Sequence, residues 1–361
     1  MEDGYWISHS SDCDAKQRNP NDGQKASSAS TNKQVPSLEQ PSVSIEILPG
    51  GVEQWSPQAS EDFPFVLVDN NLGIPQKLLY KLYLSAVALY KNADDHTILT
   101  LSPVILLANP AHQTALNARK RLVASGALQS EEELNLVALL IGGSKEFAKQ
   151  SITWDHRRWL FRHLYERIEV AEAGLVAEPP GWATSEEVSL FPMIPLGTLE
   201  QECQLIRRAC ELYPRNYHAW VHYHWVLNVA QAVVVSNSRE PPDPGFEDHI
   251  RFLRQEVSQL RGWIDRHVSD YSAVHLLCSM AMLDCAGALQ LAESGRGRLV
   301  DELVGHAQGL VLCYPSHETL WLYLRNVLSL SLPNVIYDIV NQLRREHMPS
   351  VAIEKYIASL V

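Results

Sequence analysis

Five segments of this chain align on one position. "HQTAL" (112–116), "QSITW" (150–154), "NYHAW" (216–220), "DYSAV" (270–274) and "HETLW" (317–321) put Leu116, Trp154, Trp220, Val274 and Trp321 at the same point of a repeated unit, 38 to 66 residues apart. Three copies carry a Pro-containing element just upstream, "LANPAH" from 107, "LYPRN" from 212 and "CYPSH" from 313. A segment with three-to-four apolar spacing precedes each copy, so the unit reads as helix, short turn, helix. Such a unit cannot bury its apolar faces alone. Copies must stack, and the chain is expected to be all-α, a solenoid of helical hairpins.

The residue types at the turn follow from this reading. His112, Asn216, Asp270 and His317 stand where the second helix begins, and Asn and Asp there can accept from free backbone N–H groups. Pro214 and Pro315 end the preceding helix. Trp220 and Trp225 lie five apart, about 140° around a helix axis. They cannot share a face. One is expected to meet the first helix of its own hairpin and the other the next repeat.

Outside the repeats, residues 1–60 are rich in Ser, Asn, Gln, Asp and Pro and read as a disordered polar tail, with "SVSIEILP" a short strand or extended segment. A helical-repeat domain is expected over 61–361, with five repeats across about 96–330 and capping helices after them. Pro75 suits the first turn of a helix beginning at "KLLYKLYLSAVALYKN". Period-two runs are almost absent. The main loops are placed at 172–198 and 236–247.

Several function classes are excluded. There is no run of eighteen apolar residues to span a membrane and no secretory leader at the N-terminus, so a cytoplasmic location is expected. The formal charge of −12 and pI of about 5.6 disfavour nucleic acid. No CxxC, P-loop, GxGxxG, GxSxG or HExxH occurs. Cys203/Cys210 and Cys278/Cys285 are each seven apart on a helix face and read as small buried thiols. His218 and His222, four apart, could reach one ligand, but no third ligand stands near, so no metal is assigned. Arg119, Arg157 and Arg158 read as spanning neighbouring helices, with phosphate binding the alternative. Asp155, Glu166, Glu200 and Glu202 read as solvated faces or ion pairs of little worth.

"ITWDHRRWLF" (152–161) and "NYHAWVHYHWVL" (216–227) resemble the repeats of protein prenyltransferase alpha subunits, nearest to a divergent group of repeat-containing members. The resemblance implies a right-handed crescent wrapped around a beta subunit of the Rab geranylgeranyltransferase type. That partner would carry the catalytic zinc and most of the isoprenoid pocket, leaving no cofactor in this chain. The activity implied is geranylgeranyl transfer from geranylgeranyl diphosphate to a cysteine near the C-terminus of a protein, SNARE-type trafficking proteins included. Trp154, His156, Arg157, Trp159, Asn216, Trp220, His222, Trp225 and Trp321 fall on repeat-structural positions. The motif arginine three after the anchor is present as Arg119 and Arg157 but replaced by Tyr223, Leu277 and Leu324. A Lys and a Tyr that edge the family's cleft near the diphosphate correspond to Arg215 and Tyr217. The alternatives are a non-catalytic helical-repeat scaffold of the TPR kind that binds peptides, and a diverged member without the transferase partnership.

Overall fold

In a computed structural model of the chain, residues 44–56, 61–69, 71–169, 190–236, 245–285, 291, 298–346, 354–355 and 358 are described. They lie in the compact unit Pro41–Val361. The segment 1–43, most of the expected polar tail, falls outside the described residues.

Thirteen helices occur among the described residues: α1 (Gln76–Tyr90), α2 (Asp95–Ala108), α3 (Gln113–Ala124), α4 (Ser130–Gly143), α5 (Lys145–Ala148), α6 (Ser151–Leu164), α7 (Leu196–Leu212), α8 (Tyr217–Ser236), α9 (Gly245–Arg266), α10 (Tyr271–Cys285), α11 (Leu299–Cys313), α12 (Glu318–Ser329) and α13 (Pro333–Glu346). The fold is an all-α array of hairpins. α2/α3, α4–α6, α7/α8, α9/α10 and α11/α12 are the five units, and each aligned anchor is buried in the second helix of its unit. α8 is buried at every position from Ala219 to Val234, because α6, α7, α9 and α10 surround it. A helix sandwiched this way needs no polar face.

The N-terminal boundary differs from the expectation at residue 60. Ile45–Leu48 forms β1, which pairs in parallel with β3 (Asn71–Pro75), and β2 (Val66–Val68) pairs antiparallel on the other side of β3. Pro75 therefore closes a strand rather than opening the helix, and α1 starts one residue later. β1 is held from two sides. The Asn71 side-chain oxygen accepts from the Ser44 backbone N–H and hydroxyl at 3.0 and 2.8 Å. A Cβ on Gly143 would come within 3.0 Å of the Ile45 side chain, so this strand can approach α4 so closely only over a glycine. A second ribbon pairs β4 (Arg167–Glu169), just before the expected 172–198 loop, with β5 (Leu190–Pro192), inside it and ahead of α7.

One core runs from Leu122 to Leu343. A smaller cluster of Ala86, Ile105, Leu106, Ala115, Leu116, Leu140 and Phe147 fills the N-terminal end.

Candidate functional site

Charged side chains are rarely buried unless paired, yet the junctions between hairpins are built on them. At the first junction, Arg119 of α3 donates through Nε to both Glu133 carboxylate oxygens of α4 at 2.8 and 3.0 Å, and through Nη1 to Ser102 at 2.8 Å. His156 of α6 meets Glu133 through Nε2 at 2.7 Å. At the second junction the arrangement recurs one repeat on. Arg157 of α6 donates to Glu202 of α7 through Nε at 2.8 Å and also through Nη2, and to the Leu134 carbonyl at 2.8 Å. His222 of α8 meets Glu202 through Nε2 at 2.7 Å. Each glutamate thus takes an arginine from the preceding repeat and a histidine from its own.

The pattern then changes its chemistry while keeping its place. Tyr223, which replaces the third motif arginine, donates its hydroxyl proton to Glu256 of α9. Arg207 of α7 supplies the charge, donating to the same carboxylate and to the Tyr223 oxygen, both at 2.7 Å. At the last junction His306 of α11 bridges Asp265 of α9 at 2.8 Å and the Tyr323 hydroxyl of α12 at 3.1 Å. Leu277 and Leu324, the remaining replacements, are fully buried.

Electrostatics fix the protonation of this ladder. Burial opposes charge on Glu133 and Glu202, but the arginine and histidine partners outweigh it and hold both carboxyls low, Glu202 at about 2. Burial lowers the histidines despite their glutamates, His222 to about 4. An ionised carboxylate only accepts, so the neutral imidazoles donate through Nε2. Their Nδ1 atoms are buried without a partner. As bare lone pairs these are tolerable; as imidazolium N–H groups they would be costly orphans.

Glu202, read from sequence as a solvated face or an ion pair of little worth, is an ion pair, but a buried one at the centre of a junction. Glu200 and Glu166 are exposed. Arg158 pairs with Asp155 on its own helix. His222 is committed to Glu202, and among the described residues no cluster of three metal-binding side chains occurs. Trp154 and Trp321 donate their indole N–H to Ala148 and Pro315 carbonyls, both at 2.8 Å. Trp220 meets Trp263 of α9 edge-on with centroids 5.8 Å apart, whereas Trp225 lies 5.8 Å from Phe161 of α6 and stacks on His222. The two tryptophans do face different neighbours. Trp225, though, reaches the preceding repeat rather than α7, because second helices of successive hairpins lie side by side. Trp159 is half-buried, with His156 and His163 stacked near it and the Lys120 ammonium 5.4 Å from its centroid. Of the thiols, Cys203, Cys210 and Cys278 are buried and pushed far up, Cys278 to about 12; Cys285 and Cys313 are exposed.

The turn before α8 holds the two cleft-edge candidates. Arg215 and Tyr217 are both exposed, and Tyr217 packs edge-on against His218 at 5.6 Å. Asn216 between them is buried. Its side chain caps α8 through the Ala219 N–H at 3.2 Å and donates to the Ala148 carbonyl at 2.7 Å, tying this turn to the previous one. His112 and Asp270 also cap their helices through their side chains; His317 does not, and bonds Ser269 at 3.0 Å instead.

This turn departs from its siblings. In the other four, the residue opening the second helix donates its backbone N–H to the carbonyl three residues back: His112 to Asn109, Gln150 to Phe147, Asp270 to His267 and His317 to Tyr314, at 2.9 to 3.1 Å. Pro214 and Arg215 lie in a hydrogen-bonded turn here as well. Arg215 sits at φ 60, a left-handed backbone that the other turns avoid. The indole N–H of Trp220 is buried without an acceptor.

The glutamates and Arg207 are the functional residues that sequence reasoning missed. A signal existed: Glu202 and Glu256 each stand eighteen residues before an anchor, but only an alignment of first helices would expose it.

Comparison with known proteins converges on the same unit. Residues 199–229, which cover most of α7 and the first half of α8, match the protein prenyltransferase alpha subunit repeat. The chain is 28% identical to protein prenyltransferase alpha subunit repeat-containing protein 1 of Danio rerio, over 79% of this chain and 66% of the relative. It is 26% identical to the Homo sapiens protein of that name, over 73% and 68%. Geranylgeranyl transferase type-2 subunit alpha of Mus musculus is 25% identical over 78% of this chain and 42% of its own length. The chain spans about two thirds of the length of the repeat-containing relatives. The matched repeat, these relatives and the stacked hairpins agree: the chain carries a protein prenyltransferase alpha subunit repeat at 199–229 and is similar to proteins built from such repeats.

Proposed function

We propose that the chain acts as the alpha subunit of a heterodimeric protein prenyltransferase, transferring a geranylgeranyl group to a C-terminal cysteine of a target protein. The observation carrying this reading is that the matched repeat, 199–229, presents Arg215 and Tyr217 exposed while its other motif residues are consumed in packing. An exposed guanidinium can neutralise negative charge developing on a leaving diphosphate and offers it two parallel donors. This reading assigns the catalytic zinc to a beta subunit of the Rab geranylgeranyltransferase type; His156 and His222 of this chain are committed to glutamates. The chain's own part is to hold that subunit and shape the side on which the protein substrate enters, in the cytoplasm.

Co-purification tests it. A tagged chain expressed in cells recovers a prenyltransferase beta subunit, and the complex transfers geranylgeranyl to a cysteine-terminated protein. Failure to recover any beta subunit sinks the reading. A non-catalytic scaffold is the second reading, favoured by the fact that both motif arginines, Arg119 and Arg157, are spent on junction glutamates. It predicts peptide or protein capture without a beta subunit.

A further inference from the structure

The turn Tyr213–Asn216 carries two departures from the other turns at once, the left-handed Arg215 and the unpaired Trp220 indole, and one backbone rotation accounts for both. In the second and fifth units the carbonyl six residues before the anchor tryptophan, Ala148 or Pro315, accepts the indole N–H at 2.8 Å. The counterpart for Trp220 is Pro214, with the same tyrosine-proline spacing as in "CYPSH". The Pro214 carbonyl bonds nothing among the described residues, and the Trp220 indole N–H, in a residue 2% exposed, is unpaired. Arg215 is the residue after that carbonyl, and its φ of 60 meets the requirement of a type II turn for positive φ at its third place. Type I and type II turns differ by a flip of the central peptide, here the one joining Pro214 to Arg215. The turns of the second and fifth units have no positive φ and point the same carbonyl at their tryptophan.

We infer that the Pro214–Arg215 peptide is a two-state element: in the described state it faces away from Trp220, and in the flipped state the Pro214 carbonyl accepts the Trp220 indole N–H as in the sibling repeats. The described state bears an arginine in left-handed backbone and an unpaired buried donor, each shifting the balance by roughly a factor of 10 against it. The Asn216 side chain holds it by bonding Ala148 and Ala219 together. The flip turns the Cα–Cβ bond of Arg215 and so re-aims its side chain. Trp220 is thereby a positioning residue for Arg215. Any ligand that engages Arg215 in one state only sets the turn, by its difference in affinity for the two. The element itself does not rest on the transferase reading; only the identity of that ligand does.

The test reads the indole N–H groups of 15N-tryptophan-labelled full-length chain, alone or with its partner, by hydrogen exchange, with Trp154 and Trp321 as internal references. Arg215→Gly removes the left-handed penalty and favours the described state; Arg215→Val, whose branched side chain resists positive φ, favours the flipped one. We expect Trp220 protection to be at least about tenfold higher in R215V than in R215G, approaching that of Trp154, since only a bonded donor is shielded. Equal Trp220 protection in the two variants overturns the inference. Should R215V lose protection at all three indoles, R215G against wild type decides: a fall at Trp220 alone supports the two states, and an unchanged value overturns them. Loss of transferase activity or of a beta subunit leaves this readout untouched.

Discussion

Glu202 accepts hydrogen bonds from two different hairpins, from Arg157 of the preceding repeat and from His222 of its own. One carboxylate therefore joins three helices, α6, α7 and α8. Such an ion pair need not stabilise the fold relative to a well-packed apolar junction, because desolvation takes back much of the attraction. It does make stacking specific, since a slipped register would strand a buried charge.

Removing one partner exposes that asymmetry. Glu202→Ala leaves Arg157 buried and unpaired and should cost about 3–5 kcal/mol, read from urea unfolding. The double variant E202M/R157M should recover more than half of the loss. Additive losses in the double variant would show that the two side chains are not coupled.

Acid should loosen the array before the carboxylates titrate. His222 and His224 are both held at about 4 against an ordinary 6.5. The unfolded chain takes up protons on them from about pH 6.5 downward while the folded chain resists, so stability is complete above that pH and falls as pH drops toward 4. Glu202 extends the loss between its ordinary 4.5 and about 2. His224→Phe leaves the Glu202 cluster intact and should flatten the decline in Tm between pH 6.5 and 4. An unchanged slope would remove His224 from the account.

The anchor tryptophans should not be equivalent. Trp154→Phe and Trp321→Phe each delete a bond to a carbonyl and should cost about 1 kcal/mol more than Trp220→Phe, whose indole N–H is unpaired in the described turn. Thermal melts of the three variants compare them, and a larger loss at Trp220 would contradict the geometry.

Arg215→Ala, in the reconstituted heterodimer, should lower kcat about tenfold or more with little change in complex formation, because the lost interaction strengthens as charge develops on the leaving group. Wild-type kinetics would take Arg215 out of the proposed role.

The array should also behave poorly by itself. Tyr80, Leu82, Leu84 and Leu89 of α1, with Leu67 and Val68 of β2, are exposed at the N-terminal end. Light scattering on the isolated chain at high concentration should show association; a monodisperse monomer would argue against an obligate partner.

Local periodicity decided much of this protein. Apolar spacing, Pro-containing turns and the recurring anchor give hairpins, their order and the burial of Trp154, Trp220 and Trp321, because each depends on residues within a turn or two of helix. What the anchors meet did not follow. Glu202 looks like any acid on an amphipathic helix until α6 and α8 are brought against it. Trp225 could have faced α7, and the pairing of β1 was hidden because its partner, β3, lies more than twenty residues on. The strained turn at Arg215 was equally invisible: "LYPRN" and "CYPSH" spell nearly the same turn, and only the tie from Asn216 to Ala148 in another repeat separates them. Pairings across the stack are long-range choices among side chains that local sequence leaves equally suited, and the tertiary fold makes them.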